Sequence, residues 1–412
     1  MSQDDAFAID RFRKYLQIKT VQPKPDLEAA IDFLKKYGSD IGLTAATYEL
    51  VPGYPVLILT WLGSDTSLKS VLLNSHMDVV PVFPESWTYD PFEAKLQDDG
   101  WIFGRGTQDM KCLAIMFLEA IRRLKARGFQ PKRTVYLSFG PDEEVGGLKG
   151  MGPFVDSPEF EVMNVGVALD EGLASDTPWC PVYFAERQQL WMKYTFHGNP
   201  GHGSRFIKDT AMSRLLKFMN LVQEFRDQQE KKLESDPELT VGYVTSVNMN
   251  ILEGGLEVNV VPSKMSVTVD IRVTPSETLD EMRSKLKSWI LKALEKPGEP
   301  TPSLDEAVTM ETVCAFSGDF TSPTDEDNPW WKALSGALSE SGVEFKKDIF
   351  TGGTDIRYVR RKGIPSYGFT PMPNTPVLLH DHDERIHKDV FLKGIKIYEN
   401  IIQRITSVEG TP

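Results

Sequence analysis

The chain has 412 residues, 41% hydrophobic and 25% charged, enough for two domains or one large one with a buried core. Forty-six basic residues against fifty-nine acidic ones leave a net charge of −13, which excludes a general nucleic-acid or anionic-membrane role. No apolar run approaches membrane-spanning length, and the opening Met1-Ser-Gln-Asp-Asp-Ala-Phe7 is acidic where a signal peptide is basic. Cys112, Cys180 and Cys314 show no paired spacing, so they read as reduced, buried thiols of a cytoplasmic protein.

Ile9, Phe12 and Leu16 stand at helical spacing, and Asp26 is placed to cap a second helix ending near Gly38. Short apolar runs at 55–61 and 71–74 predict strands. An amphipathic helix is expected from about Asp109 to Leu124, and strands again at 134–139 and 165–169. Strands alternating with helices imply an α/β fold, a mostly parallel sheet covered by helices. From about Gln188 the pattern changes: strands at 190–196, 241–252 and 258–274, with helices around Leu215 and over 279–294. That order suits a small α+β sandwich with an antiparallel sheet. Lys296–Pro302 reads as a turn or linker, and α/β character returns near Thr321. The expected organisation is a discontinuous first domain, 1–187 and 317–412, with 188–316 inserted.

Glu143 and Glu144 follow the apolar run Thr134–Ser138. Adjacent side chains point different ways, so one could hold a metal while its neighbour takes a proton from water; a solvated surface pair is the plain alternative. His76 follows Val71–Ser75, with Asp78 two residues on, as a metal-binding imidazole oriented by a carboxylate or as a turn histidine. Asp109 could bridge two metals or cap the helix after it. Glu171 follows the run at 165–169, and His380 follows Val377–Leu379. Ligand sites in open α/β sheets lie beyond the carboxyl ends of the strands, where His76, Glu143-Glu144 and Glu171, each after an expected strand, should converge. Two histidines with several carboxylates suit a pair of zinc-like ions, although cobalt or manganese would be accepted.

The motifs Ser75-His-Met-Asp78, Gly104-Arg-Gly-Thr-Gln-Asp-Met-Lys111, Pro141-Asp-Glu-Glu-Val-Gly-Gly147, Leu169-Asp-Glu-Gly172, Gly201-His-Gly-Ser204 and Leu379-His-Asp-His-Asp-Glu384 resemble those of the M20 metallopeptidase family over nearly the whole chain. Thr20–Pro25, Trp330-Trp331 and Thr375–Arg385 are most similar to its branch that deacylates N-acyl-L-amino acids. The resemblance implies two Zn2+ per subunit, one held by His76, Asp109 and Glu171, the other by Asp109, Glu144 and His380. It implies Glu143 as general base and a cis peptide after Asp109. His202 would donate to the oxyanion from the neighbouring subunit of a homodimer with a shared site, the inserted domain serving as lid and dimerisation module. Glu384 matches the family's glutamate four residues after His380, which leaves His382 adjacent or superficial.

Substrate contacts are expected at Asn259, a family position, and at Gly353 and Thr354. Arg357 and Arg272 could each grip an α-carboxylate or serve in a structural ion pair. Many relatives read Gly-Gly-Thr-Ser-Asp where this chain has Asp355 directly after Thr354, a departure at the carboxylate contacts. The rival readings are a dipeptidase or peptidase with the same catalytic residues, and a catalytically silent binding protein of the same fold.

Overall fold

The computed structural model describes residues 2–296, 302–316, 318 and 321–410, so most of the linker expected at Lys296–Pro302 lies outside the described residues. The chain opens with α1 (Gln3–Leu16), started by a capping box in which Ser2 and Asp5 each take the other's backbone N–H. Asp26 caps α2 (Leu27–Asp40) by accepting from the Ala29 N–H. Strands β1 (Thr44–Tyr48), β2 (Val56–Trp61) and β3 (Ser70–His76) follow, then the short β4 (Lys95–Leu96) and β5 (Trp101–Phe103). Helix α3 (Lys111–Ala126) is buried on all sides from Lys111 to Ile121, where an amphipathic helix was expected. Next come β6 (Val135–Gly140), α4 (Met151–Val155), α5 (Pro158–Val162), β7 (Val165–Asp170) and β8 (Trp179–Glu186).

The middle of the chain forms β9 (Gln188–His197), β10 (Gly201–His202), α6 (Ala211–Glu234), β11 (Ser246–Gly254), β12 (Val260–Val261), β13 (Lys264–Val273), α7 (Leu279–Leu294), α8 (Leu304–Ala307) and β14 (Val308–Phe316). The strand expected from Val241 begins at Ser246, because Val241–Tyr243 closes a 3-10 turn. The last stretch adds α9 (Pro329–Glu340), β15 (Glu344–Phe350), α10 (Ile356–Arg361), β16 (Ser366–Phe369), β17 (Arg385–His387) and α11 (Lys388–Thr406).

The chain divides into two compact units. One comprises Met1–Phe184, Thr321–Asp348 and Thr354–Pro412; the other comprises Ala185–Phe320 and Ile349–Gly353. The first holds the eight-stranded sheet in the order β1-β2-β6-β3-β7-β16-β8-β15. Its centre, β6-β3-β7-β16, is parallel, while β1/β2, β2/β6 and β16/β8 run antiparallel. β3 and β7 are buried along their whole lengths, as strands covered on both faces must be. Helices cover this sheet, with Phe12 of α1 stacked on Phe391 of α11 and Phe117 of α3 edge-on to Tyr398. The second unit has an antiparallel sheet, β11-β13-β9-β14, whose apolar residues share a core with α6 and α7. No helix among the described residues is long and apolar enough to cross a membrane.

Candidate active site

His76 is the last residue of β3, Glu143 and Glu144 lie in a turn just beyond β6, and Glu171 directly follows β7. These three strands are adjacent and parallel, with His76 in register with Gly140, so their carboxyl ends present the side chains together. Asp109 joins them from the loop before α3. It is not the cap of that helix; Met110 holds the cap position, and the Asp109–Met110 peptide is cis.

The geometry centres on Asp109. Its Oδ1 lies 2.9 Å from His76 Nε2, and its Oδ2 lies 3.2 Å from His380 Nε2. His380 Nε2 is also 3.0 Å from Glu144, and His76 Nε2 is 3.6 Å from Glu171 and 3.9 Å from Glu143. Among the described residues, two overlapping sets have ligand atoms mutually within 4.8 Å: His76, Asp109 and Glu144, and His76, Glu143 and Glu171. His380 reaches the cluster from a turn with a left-handed backbone, φ +59°, and not from a strand end.

The carboxylate of Asp78 does more than face the histidine. His76 Nδ1 lies 2.9 Å from the Asp78 main-chain carbonyl and 3.5 Å from its Oδ1. An Nδ1–H donated to that carbonyl leaves the Nε2 lone pair toward the acids. The Asp78 side chain accepts instead from the backbone N–H groups of Glu143 and Glu144 and from Gln22 Nε2. It thereby fixes the turn that carries both glutamates. Gln22 stands inside the Thr20–Pro25 motif without a role that its pattern announces; an amide ahead of Pro23 is its only sequence signal.

Electrostatics describe a site short of positive charge. Burial raises Glu143 and Glu171 well above the usual carboxylate range, and burial with the neighbouring Asp109 charge raises Glu144 to about 7. Burial would also raise Asp109, but hydrogen bonds from His380 and His76 hold it below its ordinary value. Those with Asp109 and Glu144 lift His380 to about 10. Burial opposes charge on His76, yet Glu171 and Asp109 raise it well above its ordinary value. Protons collect where cations would stand, and a donor set of imidazole nitrogens and carboxylate oxygens fits zinc-like ions.

The other expected site residues are placed as follows. Arg357, on α10, donates through Nη2 to the Gly146 carbonyl at 2.6 Å, in the turn that carries the glutamates. Thr354 is buried and precedes that helix; Gly353 closes the short segment assigned to the second unit. Within the second unit, His202 and Asn259 are neighbours, since the Gly203 N–H donates to the Asn259 carbonyl at 2.7 Å and both side chains are exposed. Arg272 is separate, with Nε and Nη2 on Asp270 and its guanidinium over Trp191. His382 lies edge-on to Phe83, and His387 caps α11. Cys112 and Cys180 are buried, but Cys314 is half-buried on the edge strand β14. Asp355, in sequence only a departure from the family pattern, is wholly buried. Its oxygens find no hydrogen-bond partner among the described residues, and a Cβ on Gly147 would come within 2.1 Å of one of them.

Comparison with known proteins gives this arrangement its context. Residues 72–404 match the model of peptidase family M20/M25/M40. Aminoacylase-1 of Sus scrofa is 46% identical over 405 residues, covering 98% of this chain and 97% of the relative. Aminoacylase-1 of Dictyostelium discoideum is 38% identical, covering 97% of each. The crystal structure of aminopeptidase PepT from Bacillus cereus superposes with a TM-score of 0.72 over 97% of this chain and 98% of that one, at 16% identity, a likeness of fold. The chain therefore belongs to peptidase family M20/M25/M40 and is a metal-dependent amidohydrolase.

Proposed function

We propose that this enzyme hydrolyses N-acyl-L-amino acids to a carboxylate and a free L-amino acid, as the names of its aminoacylase-1 relatives suggest. The observation that carries the reading is the divided carboxylate pair: Glu144 is 3.0 Å from His380, while Glu143 faces His76. Two zinc ions would be held by His76, Asp109 and Glu171, and by Asp109, Glu144 and His380. When bound they would polarise the amide carbonyl and acidify water.

Glu143 accepts the proton of the attacking water and returns it to the departing amine nitrogen. Burial suits it to this work, since a carboxylate with a raised pKa holds the proton long enough to deliver it. Asp78 keeps it aimed by holding its backbone N–H. Arg357 and Thr354 are proposed for the substrate α-carboxylate, and Asn259 and Gly353 as further substrate contacts. Arg272 has the weaker claim because Asp270 already occupies its guanidinium. His202 of a second subunit would donate to the oxyanion, a contact worth about 3–4 kcal/mol of barrier. The protein would then be a cytoplasmic homodimer, with the second unit as lid and dimerisation module.

Glu143→Gln is the test. Hydrolysis of N-acetyl-methionine is expected to fall by about 10²–10⁴-fold, while metal content measured by elemental analysis stays at the parent value. Deacylation at the parent rate would refute Glu143 as the base. An unblocked dipeptide cleaved in preference to N-acetyl-methionine by the parent would refute the substrate class.

A further inference from the structure

His380 poses a positional problem. It stands on no strand, its side chain is 51% exposed, and it must still meet the buried Asp109 and Glu144. The loop around it is braced from within by Glu384, which is completely buried. Glu384 Oε1 accepts the Gln108 N–H at 2.6 Å and the Asp109 N–H at 3.2 Å. Its Oε2 accepts the Gly106 N–H at 3.0 Å and Arg105 Nη1 at 2.8 Å. Gln108 supplies a second brace: its Nε2 donates to the carbonyls of Pro376 and Arg385, and its Oε1 accepts the Leu378 N–H. The loop carrying Asp109 and the loop carrying His380 are thus tied together through the side chains of Glu384 and Gln108.

We propose that Glu384 is a positioning residue: by binding the backbone N–H groups of Gly106, Gln108 and Asp109 from four residues beyond His380, it sets Asp109 opposite His380 and shapes the ion site they share with Glu144. The inference rests on the two-ion reading above. It assigns Glu384 no contact with substrate or ion. Four donors on one buried carboxylate, two of them on each oxygen, leave no tolerance for an amide there. In either orientation the NH2 of a replacement amide would face two donors and accept from neither.

The experiment measures zinc retained by the full-length chain during titration with a competing chelator, for the parent, Glu384→Gln, Gln108→Ala, His380→Ala and Glu171→Gln. The Glu384→Gln chain is expected to hold the ion shared by Glu144 and His380 about 10- to 100-fold more weakly, as loss of an orienting partner does, and to weaken the other, which also uses Asp109, by less. Its curve should follow that of His380→Ala and differ from that of Glu171→Gln. Retention of both ions at parent affinity, or equal weakening of both, overturns the proposal, since a merely structural defect would not choose between them. If Glu384→Gln fails to fold, Gln108→Ala carries the same expectation and the same refutation. A parent chain that binds a single ion overturns the two-ion reading itself, and this is seen before any variant is compared.

Discussion

At the scale of single residues, the site is a contest between protons and metal for the same lone pairs. His380 shows its sign. With Asp109 and Glu144 at its Nε2, its pKa rises from the ordinary 6.5 to about 10. A folded-state value above the unfolded one stabilises the native chain fully below about pH 6.5, and that contribution is lost as pH climbs toward 10. The stability gap between the metal-free parent and metal-free His380→Ala is therefore expected to narrow between those limits, as followed by urea unfolding at several pH values. A gap that widened with pH would mean that His380 is not protonated between the acids. The ligand candidates are legible because histidine is scarce, six in the chain, and the motifs that carry the acids are ordered. What each atom does was less so. The sequence suggested a carboxylate behind His76, whereas the nearest acceptor is the Asp78 carbonyl, and the carboxylate is spent on two backbone N–H groups. No sequence pattern reports which oxygen of a residue points where.

At the scale of elements, three buried strands set the spacing of the site. A polar rung crosses them beneath it: Ser138 of β6 donates to Asn74 of β3, and Asn74 donates to Asp170 of β7, next to Glu171. Asn74→Leu removes both bonds and is expected to cost about 1.5–3 kcal/mol in thermal or urea unfolding, the range for a buried hydrogen bond to a charged group. An unchanged midpoint would assign the rung no energetic role. Strand ends made His76, Glu143, Glu144 and Glu171 readable, because apolar runs announce buried parallel strands and the chemistry follows them. His380 follows an apolar run that forms no strand, so only its motif identified it. β8 and β14 carry no clear strand signal: β8 follows a loop of Ser, Asp, Thr and Pro, and β14 is largely exposed with mixed polarity, the pattern of an edge.

At the scale of the whole molecule, the sequence placed the breaks of the inserted region at 187/188 and 316/317. The compact units break at 184/185 and 320/321, and Ile349–Gly353 joins the second unit. That short return could not be read locally, since its assignment depends on contacts far away in sequence. His202 bears on assembly. Its imidazole is exposed, and Ser204 is its hydrogen-bond partner within its own unit. If a second subunit completes each site, mixing Glu143→Gln with His202→Ala chains under exchange should restore activity that neither has alone. Half of randomly paired dimers would be mixed, each with one intact site, so recovery of about a quarter of parent activity is expected for a two-fold assembly. No recovery after demonstrated exchange would place both residues in the same chain's site or remove His202 from the chemistry.

The left-handed turn at His380 has a consequence for how such an enzyme can diversify. His76, Glu143, Glu144 and Glu171 are anchored at a spacing set by three neighbouring strands, about 4.8 Å apart, and cannot be respaced without disturbing the sheet. His380 and its exposed apolar neighbours Val377 and Leu379 sit instead on a braced loop. Descendants can rewrite the flanks of that loop while inheriting the strand-end ruler intact.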